Sequence, residues 1–106
     1  MNKLKIQLLY TCAILLVTAF STASANDGKQ LYTTKACAGC HGPDARSPII
    51  PMYPRIAGQN ADYLYNQLRD IKDGSRSNGQ TAAMKGIMAG VNDEEMHAIA
   101  SWLATQ

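Results

Sequence analysis

Two cysteines and a histidine fall within five residues, Cys37-Ala38-Gly39-Cys40-His41, and no other stretch of the chain restricts its fold as much. A chain of 106 residues makes one small domain, and domains of this size lean on a disulfide, a metal or a cofactor to complete their core. A Cys37–Cys40 bridge would close a very small loop and restrain the unfolded chain little. A thioredoxin-like redox pair wants a βαβ setting, and the sequence has no strand pattern of any length. A zinc site wants four ligands. Cys37, Cys40 and His97 are one short, and His41 is badly placed to join Cys40 on one tetrahedral ion. The spacing suits c-type haem attachment. Two thiols one helical turn apart can add across two vinyl groups on one edge of a porphyrin, and the next residue then carries an imidazole within reach of the iron. Ala38 and Gly39 are small enough to let the backbone approach a flat macrocycle. The sequence therefore predicts one covalent haem c, held by Cys37 and Cys40, with His41 as one axial iron ligand.

Residues 1–25 read differently from the rest. Lys3 and Lys5 precede an uncharged apolar run over 6–20, and Ala23-Ser24-Ala25 offers the small-residue site that a signal peptidase cuts. The run is about 15 residues long, where a membrane span needs roughly 20. Cys12 sits in mid-run after Tyr10-Thr11, whereas a lipoprotein signal wants a small residue before a cysteine at the end of the run. The expectation is a removed signal peptide over 1–25, export to the periplasm, and a mature domain over 26–106. The formal net charge of +2 then belongs to the leader, because Lys3 and Lys5 leave with it. A formally neutral domain gives no argument for nucleic-acid binding.

Three helices are expected in the mature part. Asn26 or Asp27 caps one that runs to about Ala36, with Leu31 and Tyr32 as its large apolar residues. A loop follows over 37–59, where Pro43, Pro48, Pro51 and Pro54 exclude a long helix or a central strand. Asn60 caps the second helix, over about 61–72. Tyr63, Leu64, Gln67, Leu68 and Ile71 lie along one face of it, and Asp73-Gly74 stops it. Residues 75–80 are polar and loop-like. The last helix opens with Asn92-Asp93-Glu94-Glu95, a capping sequence whose acids meet the positive end of the helix dipole. Met96, Ile99, Ala100 and Leu103 form its apolar stripe, beside Trp102.

The second axial position decides the class of function. A methionine thioether closes the iron and suits electron transfer, whereas an open position suits gas binding or peroxide chemistry. Met96 reads as core on the inward stripe of the last helix, His97 as a solvated residue among acids, and Met52 as pocket lining in the proline loop. That leaves Met84 and Met88.

Over 27–104 the sequence resembles a class I cytochrome c. It is most similar to the units found singly in small periplasmic cytochromes and in pairs in bacterial dihaem cytochromes. Beyond the attachment motif, Tyr53-Pro54-Arg55-Ile56-Ala57-Gly58-Gln59 is similar to the family's Pro-x-Leu-x-Gly loop. Asp62-Tyr63-Leu64-Tyr65-Asn66-Gln67-Leu68, with Asp73-Gly74 and Arg76-Ser77-Asn78, resembles its middle helix and exit. The resemblance implies an all-α small cytochrome c fold, three main helices plus loops wrapped round one covalent haem. It implies that the Pro54 carbonyl accepts a hydrogen bond from the far nitrogen of His41, which fixes the tautomer and makes the ligand more basic. It also implies Met84 as the second iron ligand, at the family's distance before the last helix, with Met88 too close and kept as the alternative. Gly28 and Tyr32 would meet Ile99 and Trp102 where the first and last helices cross. Trp102 stands where the family more often has tyrosine, and Val91-Asn92 where it usually has Leu-Ser.

The function this resemblance implies is that of a periplasmic single-electron carrier, not itself an enzyme, with both axial ligands retained through the redox cycle. Its partners would be an oxidase, a reductase or a dehydrogenase, met as a monomer or as one subunit of a hetero-complex. No nucleic acid is expected, and membranes only through transient docking to membrane enzymes. Two alternatives stand beside it, the first of which uses the same residues. One is a haem subunit of a larger dehydrogenase, for example one oxidising a sulfur compound. The other is an open-site haem enzyme or sensor; Met84 counts against it, and no distal histidine or arginine is plainly placed for peroxide cleavage.

Overall fold

A computed structural model describes residues 25–106, with side chains from Asp27 onward. The expected leader over 1–25 lies outside the described residues but for Ala25. The described residues form five helices and no strand: α1 (Ala25–Thr34), α2 (Ala38–His41), α3 (Ala61–Asp73), α4 (Thr81–Met88) and α5 (Asp93–Ala104). The all-α reading stands, and two helices join the three expected.

Helix α1 stops two residues short of its expected end. Ala36 turns into the left-handed region at φ 68°. The Cys37 N–H then reaches back to the Tyr32 carbonyl at 3.1 Å and the Ala36 N–H to the Thr33 carbonyl at 3.3 Å. This pair of bonds is a Schellman stop, built here on alanine instead of glycine. The reversal delivers Cys37 directly to α2, one turn in which the Cys37 carbonyl accepts from the His41 N–H at 3.0 Å. A loop was expected from residue 37 onward. Four helical residues are too few to give a periodic signal ahead of Pro43. Helix α4 was not among the three helices expected. Its interior Gly86 weakens the pattern, and no side-chain cap marks its start at Gln80.

Asn60 and Asn92 cap as expected, whereas α1 already begins at Ala25, which puts Asn26 and Asp27 inside the helix and not at its cap. The Asn60 side chain accepts from the Tyr63 N–H at 3.1 Å, and Gly74 ends α3 at φ 88°. At α5 the Glu95 N–H bonds the Asn92 side chain at 2.9 Å while the Asn92 N–H bonds Glu95 at 3.0 Å, a complete capping box. The expected stripe of α3 is narrower than drawn: Leu64 and Ile71 are buried, but Tyr63 is 52% exposed.

Helix α5 packs on both α1 and α3, whereas α4 packs on α3 alone among the helices. The α1–α5 crossing is close because Gly28 has no side chain. A Cβ there would overlap the Ala98 carbonyl oxygen and lie 2.6 Å from the Trp102 Cβ. One turn on, the Tyr32 and Trp102 rings meet with centroids 4.9 Å apart. Ile99, Ala100 and Leu103 continue the buried face of α5 toward α3. The turn between α4 and α5 is held by two ammonium groups. Lys35 Nζ donates to the Gly90 carbonyl at 2.9 Å and pairs with Glu95 at 3.2 Å, and Lys72 Nζ donates to the Val91 carbonyl.

Two predictions follow from these contacts. Gly28→Ala, which sets a methyl group against backbone that cannot move aside, lowers stability by about 1–3 kcal/mol in urea unfolding of the haem-loaded protein. Glu95 is held below the usual carboxylate range, first by the Asn92 N–H and then by Lys35. A depressed folded value means a contribution that is complete above the unfolded carboxylate value and fades as pH falls through the folded one. Glu95→Gln therefore lowers the melting temperature at pH 7, and the gap from wild type closes toward pH ~3, below the usual glutamate value of about 4.3.

Candidate haem site

The loop after α2 is ordered by its own polar residues before it reaches the site. Asp44 accepts from the N–H groups of Arg46 at 2.9 Å and Ser47 at 3.0 Å, which bends the chain and holds its carboxyl below the usual range. Ala45, fully buried at φ 60°, turns its carbonyl to the N–H groups of Ile56 at 3.0 Å and Ala57 at 3.2 Å. Gly58 N–H adds a bond to the Leu103 carbonyl at 2.8 Å and ties the loop's end to α5. These bonds bring Pro54 over His41. The His41 Nδ1 lies 2.8 Å from the Pro54 carbonyl oxygen, so Nδ1 carries the proton and the other ring nitrogen is left free to bind a metal.

His41 is 5% exposed and faces a cavity of about 420 Å³, within the roughly 300–1,000 Å³ typical of cofactor sites. Every helix contributes to its wall: Tyr32 from α1, Cys40 and His41 from α2, Leu68 from α3, Met84 and Met88 from α4, Ile99 and Leu103 from α5. A smaller hollow of about 230 Å³ shares His41, Pro54, Leu68 and Met84 with it and continues it toward Gln59 and Tyr63. The residues singled out in the sequence thus come together at one place. Cys37, Cys40, His41, Pro54, Met84 and Met88 all line the larger cavity, as does Met52 from its 65% exposed position at the rim.

The two methionines of α4 differ. Met88 is 2% exposed and belongs to the packed core beside Val91, and it does not reach the smaller hollow. Met84 is partly buried, one turn nearer the start of α4, and borders both hollows together with His41. Thr81, Met84 and Met88 lie on one face of α4 by helical spacing, and Thr81 is fastened by its hydroxyl to the Asn78 carbonyl at 2.7 Å. Met96 is core and His97 is a surface residue stacked on Tyr65 and 3.7 Å from Asp93, as the pattern of α5 indicated.

Cys37 and Cys40 are unbridged and partly exposed. Burial pushes the Cys37 thiol up, and Cys40 adds to the push. Burial also raises the Tyr32 phenol far above its usual value, so its hydroxyl stays a donor. That donor bonds the Gly42 carbonyl at 2.5 Å. The residues fit a covalent haem on three counts: paired thiols at one edge, an imidazole fixed through its distant nitrogen, and a thioether bordering the same space. Sequence reasoning did not find the Tyr32 hydroxyl, because Tyr32 was counted for its ring alone.

The cytochrome c family profile matches residues 25–106. The chain belongs to the cytochrome c family. Covalent haem c is the cofactor of that family, and Cys37 and Cys40 fit its attachment motif. The chain is 37% identical over 107 residues to cytochrome c4 of Pseudomonas aeruginosa, covering 100% of this chain and 49% of that protein. It is 42% identical over 88 residues to a protein of Stutzerimonas stutzeri named thiosulfate dehydrogenase electron acceptor, covering 76% of this chain and 39% of the other. Its fold superposes on the crystal structure of reduced cytochrome c4 from Pseudomonas stutzeri with a TM-score of 0.66. That match has 30% identity and covers 76% of this chain and 46% of the other. The chain spans about half or less of the length of each of these proteins. Among the described residues no helix is long and apolar enough to cross a membrane.

Proposed function

We propose that this cytochrome c is an exported, periplasmic single-electron carrier, in which Cys37 and Cys40 hold the haem and His41 and Met84 are its axial ligands. The observation that carries the reading is the meeting of His41 and Met84 at both hollows, with His41 Nδ1 held by Pro54. When bound, the haem supplies one-electron exchange at its iron. The chain's own part is to keep both ligand side chains in place in either oxidation state, so that little rearranges when the charge changes. His41 is held through its ring, and Met84 by a helix fastened at Thr81 and seated on α3. The likeness to proteins named cytochrome c4 and electron acceptor supports the role of a carrier.

Export rests on the leader pattern over 1–25. A partner would approach where the attachment motif nears the surface. The Ile49 N–H bonds the Cys40 carbonyl at 3.1 Å, and Ile49, Ile50 and Met52 are exposed beside it, at 64%, 40% and 65%. Exposed apolar side chains there suit the small, weak interfaces of electron-transfer encounters. The likeness to a thiosulfate dehydrogenase electron acceptor favours a dehydrogenase as donor, and supports a second reading in which the chain stays bound to one as its haem subunit. Size-exclusion chromatography from the native host separates a free carrier from a bound subunit.

The ligand assignment is tested on the protein matured in a host that attaches haem c. Met84→Ala abolishes the weak far-red charge-transfer band of methionine bound to ferric low-spin haem and lowers the midpoint potential, whereas Met88→Leu keeps the band. The opposite result assigns Met88. A wild-type protein that is high-spin and lacks the band replaces the carrier with an open-site enzyme or sensor.

A further inference from the structure

Tyr32 is fully buried, its ring lining the cavity and packed on Trp102. Phenylalanine would serve for that packing, and a buried hydroxyl costs free energy unless it is bonded. The Tyr32 hydroxyl is bonded, and its partner lies outside α1. It donates at 2.5 Å to the carbonyl of Gly42, the residue after His41. The position of that carbonyl matters. It lies just past the four-residue helix α2, where it also accepts from the Ala45 N–H at 3.2 Å, so among the described residues the Tyr32 hydroxyl is its one side-chain partner and the one that ties it to α1. Gly42 itself stands at φ 87°, with its N–H on the Ala38 carbonyl at 3.1 Å, so the chain leaves α2 sharply at this point.

We propose that Tyr32 is a positioning residue for the axial ligand: through the Gly42 carbonyl it fixes the backbone that presents His41, while the Pro54 carbonyl fixes the ring. The imidazole is then restrained at two ends, by bonds that reach it from α1 and from the proline loop. Tyr32 also sits in the α1–α5 crossing, so the ligand's orientation is referred to the most closely packed contact of the fold. The proposal rests on His41 being an iron ligand. Without the hydroxyl, the backbone at 41–42 gains freedom and the imidazole plane settles at a different angle over the haem.

The test compares matured, haem-loaded wild type, Tyr32→Phe and Glu95→Gln by electron paramagnetic resonance of the ferric state. The g-values report ligand-plane orientation and field; a loss of stability by itself leaves them in place. Tyr32→Phe is expected to load haem and shift the g-values, while Glu95→Gln, which weakens the start of α5 away from the cavity and keeps the hydroxyl, leaves them unchanged. Wild-type g-values in Tyr32→Phe, even with a lowered melting temperature, overturn the proposal and leave the hydroxyl a structural bond only. If Tyr32→Phe does not accumulate, Ala36→Gly is added to both arms to relieve the left-handed strain at that residue. Failure of that pair to load haem while wild type loads also counts against the proposal, since a lost positioning bond leaves attachment intact. A wild type without a low-spin signal overturns the His41/Met84 ligand pair instead, so the two failures are distinguishable.

Discussion

The apolar side chains that α1, α3, α4 and α5 turn inward converge on a cavity of about 420 Å³, and that cavity is the constraint on which the rest of the structure depends. On the side of α1 and α5 the packing is tight. Gly28 admits α5 to backbone contact, and Tyr32, Ile99 and Leu103 are buried to 1% exposure or less. On the other side α4 rests on α3 alone among the helices, and its inward face, Thr81, Met84 and Met88, looks across the cavity. A domain this small has little apolar area to spare, so a flat apolar cofactor in that space completes the core as well as providing the redox centre. Stability and function draw on the same contacts.

Restraint passes through the site along a short physical chain. The crossing at Gly28 places Tyr32, the Tyr32 hydroxyl holds Gly42, and His41 follows from the turn that Gly42 ends. From the opposite direction, Ala45 gathers Ile56 and Ala57 and so sets the Pro54 carbonyl against His41 Nδ1. The second ligand candidate is placed less directly, through Thr81 on Asn78 at one end of α4 and the two lysine ammonium groups on Gly90 and Val91 beyond its other end. An electron carrier benefits from ligands held this way, because a rigid first shell leaves little to reorganise when the iron changes charge.

What the sequence made legible was whatever local chemistry fixes within a few residues. Cys37, Cys40 and His41 were readable because attachment to one porphyrin edge dictates their spacing. Asn60 and Asn92 were readable because a cap and its N–H partner lie three residues apart. Pro54 came through its loop's likeness to a family, and the bond it makes depends on Ala45, whose left-handed turn nothing in the sequence marks. Helix α4 was missed because Gly86 weakens its pattern and the helix packs on α3, a contact that no local signal shows. The Tyr32 hydroxyl was missed for a similar reason, since its partner is ten residues on and across a chain reversal built on alanine.

The helices depend on the haem to complete this core. The direct measurement is equilibrium unfolding in urea, followed by near- and far-ultraviolet circular dichroism, of the haem-loaded chain beside a Cys37→Ala/Cys40→Ala chain made without haem. The loaded protein is predicted to unfold in one cooperative transition. The unloaded chain is predicted to lack near-ultraviolet signal and a cooperative transition. An unloaded chain that unfolds cooperatively at the same urea midpoint would contradict the account, because the helices would then form their core without the group around which they are arranged.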